Sequence, residues 1–109
     1  MFIAIYEFEI KPGSELKFRQ AWLSLTKLIY QQCGSLGSRL HYSDKSHVMV
    51  GYAQWPSEAQ WAKDHNVSDR LFELARQQMG ECLVQSKVVY QLEVSDDYLQ
   101  TTPAALGEL

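Results

Sequence analysis

Between Phe2 and Ile10 the chain alternates, with Phe2, Ala4, Tyr6, Phe8 and Ile10 on one side and Ile3, Ile5, Glu7 and Glu9 on the other. That two-residue period is the signature of a strand. One side is apolar throughout, the other only in its first half. Pro12-Gly13 breaks the strand and Ser14 follows as an N-cap, with Lys17 standing where a capping box would place Glu or Gln. The spacing then predicts a long helix to about Gln32. Phe18, Trp22, Leu25 and Ile29 fall on one helical face, Ala21 and Leu28 broaden it, and Gly34 suits the left-handed residue just past its end.

Leu36, Leu40 and Tyr42 alternate with Arg39 and His41 in a second strand, and Val48 to Trp55 form a third beyond the polar turn Ser43-Asp44-Lys45-Ser46. The two read as a hairpin. Pro56 ends the third strand, and Ser57-Glu58-Ala59-Gln60 is a capping box that starts a second helical region. His65-Asn66-Val67-Ser68-Asp69 interrupts or kinks that region. Leu71, Leu74, Ala75 and Met79 then space a further helix ending at Gly80. Leu83 to Val94 supply the fourth strand, with Val88, Tyr90, Leu92 and Val94 expected on one face.

The order is β, α, β, β, α, β, which predicts an α+β fold. It is the ferredoxin-like split βαβ, a four-stranded antiparallel sheet with helices on one face. The opposite face of such a sheet ordinarily meets water. Here it keeps Ile3 and Ile5 in the first strand and either Met49 and Trp55 or Val48 and Tyr52 in the third. A second subunit covering that face is the simplest remedy. Residues 1–95 read as one domain and 96–109 as a C-terminal tail that wraps a partner or frays.

Composition narrows the class. The 109 residues are 46% hydrophobic, 21% charged and 12% aromatic, values of an ordinary globular domain. Thirteen acidic and ten basic residues give a net charge of −3, and the scattered basic residues offer a phosphate backbone little to hold, so no nucleic acid is expected. Cys33 and Cys82 have neither C-x-x-C nor zinc-ligand spacing and read as reduced and half-buried. MFIAIYEFEI lacks the basic start of a signal peptide, and no stretch has the roughly 18 apolar residues of a membrane span. A cytoplasmic protein is expected.

Two stretches carry a resemblance. YEFEIKPGSELKFRQAW resembles the first strand, Pro-Gly turn and first helix of the antibiotic biosynthesis monooxygenase domain, and GYAQWPSEAQWAKDH resembles its third strand and the helix start that follows. The similarity spans about residues 2 to 94. It implies a dimeric α/β barrel, two ferredoxin-like subunits packed sheet against sheet. Characterised relatives include cofactor-free oxygenases that convert phenols or quinols to quinones, with molecular oxygen as co-substrate. They also include haem-degrading oxygenases that rely on an Asn in the first strand together with a Trp and a His. AIYEFEI has no Asn, and the only one in the chain is Asn66, so haem is not expected.

For a cofactor-free oxidation of a small phenol or quinol, the demanding step is formation of an electron-rich phenolate. A base near neutral pKa and aromatic walls would serve. His65 is the candidate base, four residues after Trp61 and on its face if the helix continues; the alternative is a helix-end residue donating to last-turn carbonyls. Trp61 and Trp22 are candidate substrate walls or core aromatics, and Trp55 a rim or dimer contact. Arg39 and His41, facing the same way, are a candidate anion hold. Tyr52, like Tyr6, Tyr42 and Tyr90, is a strand aromatic that could orient a hydroxyl. No pattern of metal ligands or Gly-rich phosphate loop occurs. The rival expectation is a non-catalytic dimeric module that binds a small apolar ligand.

Overall fold

A computed structural model describes residues 1–105. The elements are β1 (Phe2–Ile10), α1 (Glu15–Cys33), β2 (Ser38–Tyr42), β3 (Val48–Trp55), α2 (Glu58–Ala62), α3 (Arg70–Glu81) and β4 (Leu83–Glu93). The strands form one antiparallel sheet in the order β2-β3-β1-β4, the ferredoxin-like arrangement, with β1 and β3 at the centre.

The β1–β3 register sets Phe2 opposite Trp55, Ala4 opposite Ala53, Tyr6 opposite Gly51 and Phe8 opposite Met49. Cross-strand partners share a face, so this set faces the helices, where it packs against Phe18 and Cys33 of α1, Cys82 and half-buried Met79. Both cysteines are free and buried more deeply than their spacing suggests. The other face carries Ile3, Ile5, Glu7 and Glu9 beside Gln54, Tyr52, Val50 and Val48.

On the β4 side the structure corrects the expected alternation. Ile5 pairs with Tyr90 but Tyr6 pairs with Val88, so Val89 is an extra residue, a β-bulge. Because the side-chain period is two, one inserted residue reverses the faces beyond it. Val88 therefore joins the helix side, while Tyr90 and Leu92 join Ile5 and Ile3 outside. Val94 lies beyond the strand, its N–H donating to the Met1 carbonyl.

The helices begin where their caps require. Ser57 Oγ accepts the Gln60 N–H at 3.1 Å, completing the turn after Pro56. Asp69 accepts the Leu71 N–H at 2.7 Å and starts α3; this bond, then one from Gln32, holds its carboxyl below the usual range. Ser14 makes no such side-chain bond, consistent with Lys17 in the position of a capping-box acid. Gly34 ends α1 with φ 76°. Lys17–Glu81 and Gln32–Asp69 tie α1 to α3 at both ends.

No helix of the described residues is long and apolar enough to cross a membrane. Residues 94–105 have no regular secondary structure, yet Leu99 lies against the outer face of the sheet, beside Arg39, His41, Tyr52 and Gln54. The last four residues of the expected tail lie outside the described residues.

Phe18 has no solvent exposure, whereas Leu16, two residues away, is 60% exposed. Phe18→Ala should therefore cost about 3–5 kcal/mol in urea unfolding, and Leu16→Ala no more than about 0.5 kcal/mol. Equal losses would contradict this placement of α1.

Candidate functional site

The helix-side core is two clusters. One gathers around Phe2, Ala4, Cys33, Ala53 and Trp55, the other around Phe8, Ile10, Phe18, Met49 and Cys82; half-buried Tyr6 packs against both. Between them, beneath α1, lies a cavity of about 250 Å³. Its walls are Tyr6 and Phe8 of β1, Trp22, Leu25, Thr26 and Ile29 of α1, Gly51, Ala53 and Trp55 of β3, Met79 of α3, and Ser38 and Ser86.

Gly51 keeps the gap open. A Cβ built there would stand 2.9 Å from Phe8 Cε2 and 3.6 Å from Tyr6 Cβ, so any larger residue would displace the rings. A glycine inside a strand is a sign of such close approach, and it is the sequence signal that the aromatic residues alone do not give.

The cavity wall holds no carboxylate, histidine, lysine or arginine. Its polar character comes from hydroxyls and the indoles of Trp22 and Trp55. Trp61 Nε1 donates to Tyr6 Oη at 2.8 Å, which occupies an acceptor site of the phenol and leaves the Tyr6 proton to donate elsewhere. Burial pushes the Tyr6 phenol above its ordinary pKa, and the bond from Trp61 draws it part of the way back. The Trp55 Nε1–H is buried and has no hydrogen-bond partner among the described residues. Buried polar groups are ordinarily paired, and leaving one unpaired costs about 1–3 kcal/mol.

A second depression, about 370 Å³, adjoins the first and shares Tyr6, Ile29 and Trp55 with it. Trp61, His65, Phe72 and Arg76 contribute to its other walls. The helix stops just short of the interruption expected at His65–Asp69: α2 ends at Ala62 and Asn66 turns the chain with φ 48°. Trp61 and His65 thus share a depression without sharing a helical face. Trp61 tilts against Phe2, ring centroids 5.1 Å apart. His65 donates from Nε2 to the Gln60 carbonyl at 3.0 Å, as a helix-end residue would, and stacks on Trp55.

Arg39, His41 and Tyr52 are brought together, but on the other side of the sheet. With Leu36, Gln54 and Leu99 they surround a shallow depression of about 530 Å³. His41 Nδ1 is 3.1 Å from the Val50 carbonyl, and Tyr52 donates to Gln54 Oε1 at 3.2 Å. Tyr52 also borders the helix-side cavity, although its register partner is outward-facing Ile5. The residues expected to form one site therefore fall in three places: Trp22 in the cavity, Trp61 and His65 in the depression beside it, and Arg39, His41 and Tyr52 on the outer face. Trp55, read from sequence as a rim or contact residue, forms a wall of both helix-side spaces. Among the described residues no three His, Cys, Asp or Glu side chains come together as a metal site would require.

The same architecture recurs in solved structures. A Bordetella bronchiseptica protein provisionally named an antibiotic biosynthesis monooxygenase superposes with a TM-score of 0.72 at 20% identity, covering 86% of this chain and 96% of its own. SnoaB from Streptomyces nogalater, a cofactor-independent oxygenase solved as a point variant, superposes with a TM-score of 0.69 at 13% identity, covering 91% of this chain and 97% of its own. Rv0793 from Mycobacterium tuberculosis gives 0.66 at 18% identity, covering 88% and 96%. At these identities the likeness is one of fold. No curated protein matches the chain. The sequence profile described as antibiotic biosynthesis monooxygenase matches residues 1–76, well over half of the chain, and the protein belongs to that family.

Proposed function

We propose that the helix-side cavity binds a small aromatic phenol or quinol and that the protein is a cofactor-independent monooxygenase. The observation that carries this reading is the cavity itself, a space of about 250 Å³ walled mainly by Trp22, Leu25, Ile29 and Trp55, with Tyr6 in its lining and no ionised side chain. A flat ring satisfies those apolar walls, and an oxygen on that ring accepts from the Tyr6 hydroxyl, whose own acceptor capacity is partly taken by Trp61. A donor without a neighbouring base favours the ionised form of a phenol, since hydrogen bonds to charged groups are the stronger ones.

Electrons then come from the substrate. In the conversion of a phenol to a quinone, dioxygen delivers one atom to a ring carbon. The other leaves as water with the displaced ring hydrogen and the hydroxyl proton. All the electrons that reduce oxygen are drawn from the ring, so no separate reductant is needed. The cavity wall carries no carboxylate, histidine or lysine to act as base for the first step, so the reading favours electron-rich substrates that are readily oxidised, such as quinols and naphthols. His65 enters as a neighbour of the cavity. Arg39, His41 and Tyr52 fit a role on the outer face, where half-buried Ile5 and the exposed Tyr90 and Leu92 support pairing with a second copy, sheet against sheet. The lack of a base in the wall also favours the second reading, a dimeric module that binds a small apolar ligand without turnover.

Oxygen uptake over a panel of quinols and naphthols separates the two readings. Turnover above the uncatalysed rate is expected. Tyr6→Phe should lower kcat/KM by about 10- to 100-fold, corresponding to the loss of a hydrogen bond worth about 1.5–3 kcal/mol to a charged oxygen. Binding without uptake would favour the module, and neither binding nor uptake would defeat the cavity reading.

Tyr6 offers a check that needs no substrate. The unfolded chain loses this proton at about pH 10, whereas the folded protein holds it to higher pH. The associated stabilisation is complete below the unfolded value and is lost as pH rises through the folded one. Urea midpoints of wild type should accordingly fall more steeply above about pH 10 than those of Tyr6→Phe; parallel curves would place the phenol in water.

Sedimentation should show twice the 12.5 kDa mass of one chain. Ile5→Lys, on the outer face, should yield a folded monomer. A wild-type monomer would contradict the proposed pairing.

A further inference from the structure

The route from α1 to the cavity wall runs through a series of short contacts. The Gln60 side chain donates from Nε2 to the Cys33 carbonyl at 2.9 Å, which ties α2 to the last turn of α1. At position 34 a Cβ would stand 2.8 Å from Gln60 Nε2 and displace that side chain, and the φ of 76° there already favours glycine. The Gln60 backbone carbonyl accepts from His65 Nε2 at 3.0 Å. The His65 ring lies against the Trp55 indole, with centroids 5.7 Å apart and planes 20° from parallel. Trp55 in turn is only 6% exposed and divides the cavity from the depression that holds His65.

A ring nitrogen at hydrogen-bond distance from a carbonyl oxygen must carry the proton. His65 Nε2 is therefore committed as a donor, and the imidazole is fixed in plane by a backbone group. What it presents to Trp55 is a flat, held face. We propose that His65 is a positioning residue: anchored through Gln60 to α1, it braces the Trp55 indole from behind and fixes the orientation of that indole in the cavity wall. The role requires a stacked ring and not a titrating nitrogen, which distinguishes it from general-base catalysis. It rests on the cavity reading above for its functional meaning, but the brace itself is a property of the protein without ligand.

Fluorine NMR of the full chain labelled with 5-fluorotryptophan tests it directly. The three tryptophans give three resonances, assigned by single Trp→Phe substitutions. In wild type the Trp55 line should be single and narrow. In His65→Ala it should broaden or split while the Trp22 and Trp61 lines keep their shape, and in His65→Phe, which restores a stackable ring but no ionisable group, it should be single and narrow again. In parallel, 2-naphthol should bind His65→Phe within about twofold of wild type and His65→Ala about 2- to 12-fold more weakly, the span expected for one aromatic pair.

An unchanged Trp55 line in His65→Ala would overturn the proposal, as would a line in His65→Phe as disturbed as in His65→Ala. Loss of oxygen uptake in His65→Phe, with the Trp55 line and naphthol binding intact, would return the histidine to the role of base. Should wild type bind no naphthol, the cavity reading fails, and the fluorine spectra still decide the brace.

Discussion

The pairing of β1 with β3, in the one register that sets Tyr6 opposite Gly51, determines what the rest of the molecule can be. On one side of that pair the register sets Phe8 opposite Met49, and on the other Ala4 opposite Ala53 and then Phe2 opposite Trp55. At the pair itself one partner has no side chain, and the Phe8 ring packs into the room this leaves. A slip of β1 by one residue would turn Phe2, Tyr6 and Phe8 to the outer face, away from Trp55, and leave neither core nor cavity. The cavity is thus a consequence of strand pairing, with α1 acting as its roof.

The two faces of the sheet then divide the work. Toward the helices the lining is mostly apolar, with hydroxyls and indoles but no ionised side chain. Toward the outside lie Ile3, Ile5, Tyr90 and Leu92, followed along β1 by the Glu7–Lys87 ion pair. That gradient from apolar to charged along one face suits a partner surface of the same composition. The proposed pairing surface and the proposed ligand cavity thus lie on opposite sides of the sheet, and the β4 bulge, by turning Tyr90 and Leu92 outward, contributes to this separation.

Much of this was legible in the sequence. The alternation of β1 and the helical stripe of α1 are long enough for periodicity to decide them, and Pro12-Gly13, Gly34 and Pro56-Ser57 mark boundaries through backbone chemistry that does not depend on tertiary context. The β4 bulge was not legible, because LVQSKVVYQLE carries no residue that announces where an extra one is accommodated; only the pairing with β1 selects Val89. The break after α2 was legible in His65-Asn66-Val67-Ser68-Asp69, but not that the helix already stops at Ala62, since KDHNV carries no apolar spacing that fixes where it ends. For the site, sequence placed Arg39 and His41 on one face of a strand but could not say which side of the sheet that face would be. It marked Trp22 and Trp61 as aromatic walls and missed Trp55, whose distinction, a buried N–H without a partner, exists only in three dimensions.

The central claim is that an aromatic ligand occupies the helix-side cavity walled by Trp22 and Trp55. Its most direct test is titration of the nitrogen-15-labelled protein with 2-naphthol, following the three indole N–H resonances. The account predicts that the Trp22 and Trp55 resonances shift and saturate together, and that the resonance of Trp61, which stands outside the cavity wall and already donates its proton to Tyr6, moves less. A saturating ligand that leaves the Trp22 and Trp55 resonances in place while shifting signals elsewhere would contradict the account and move the binding site away from this cavity.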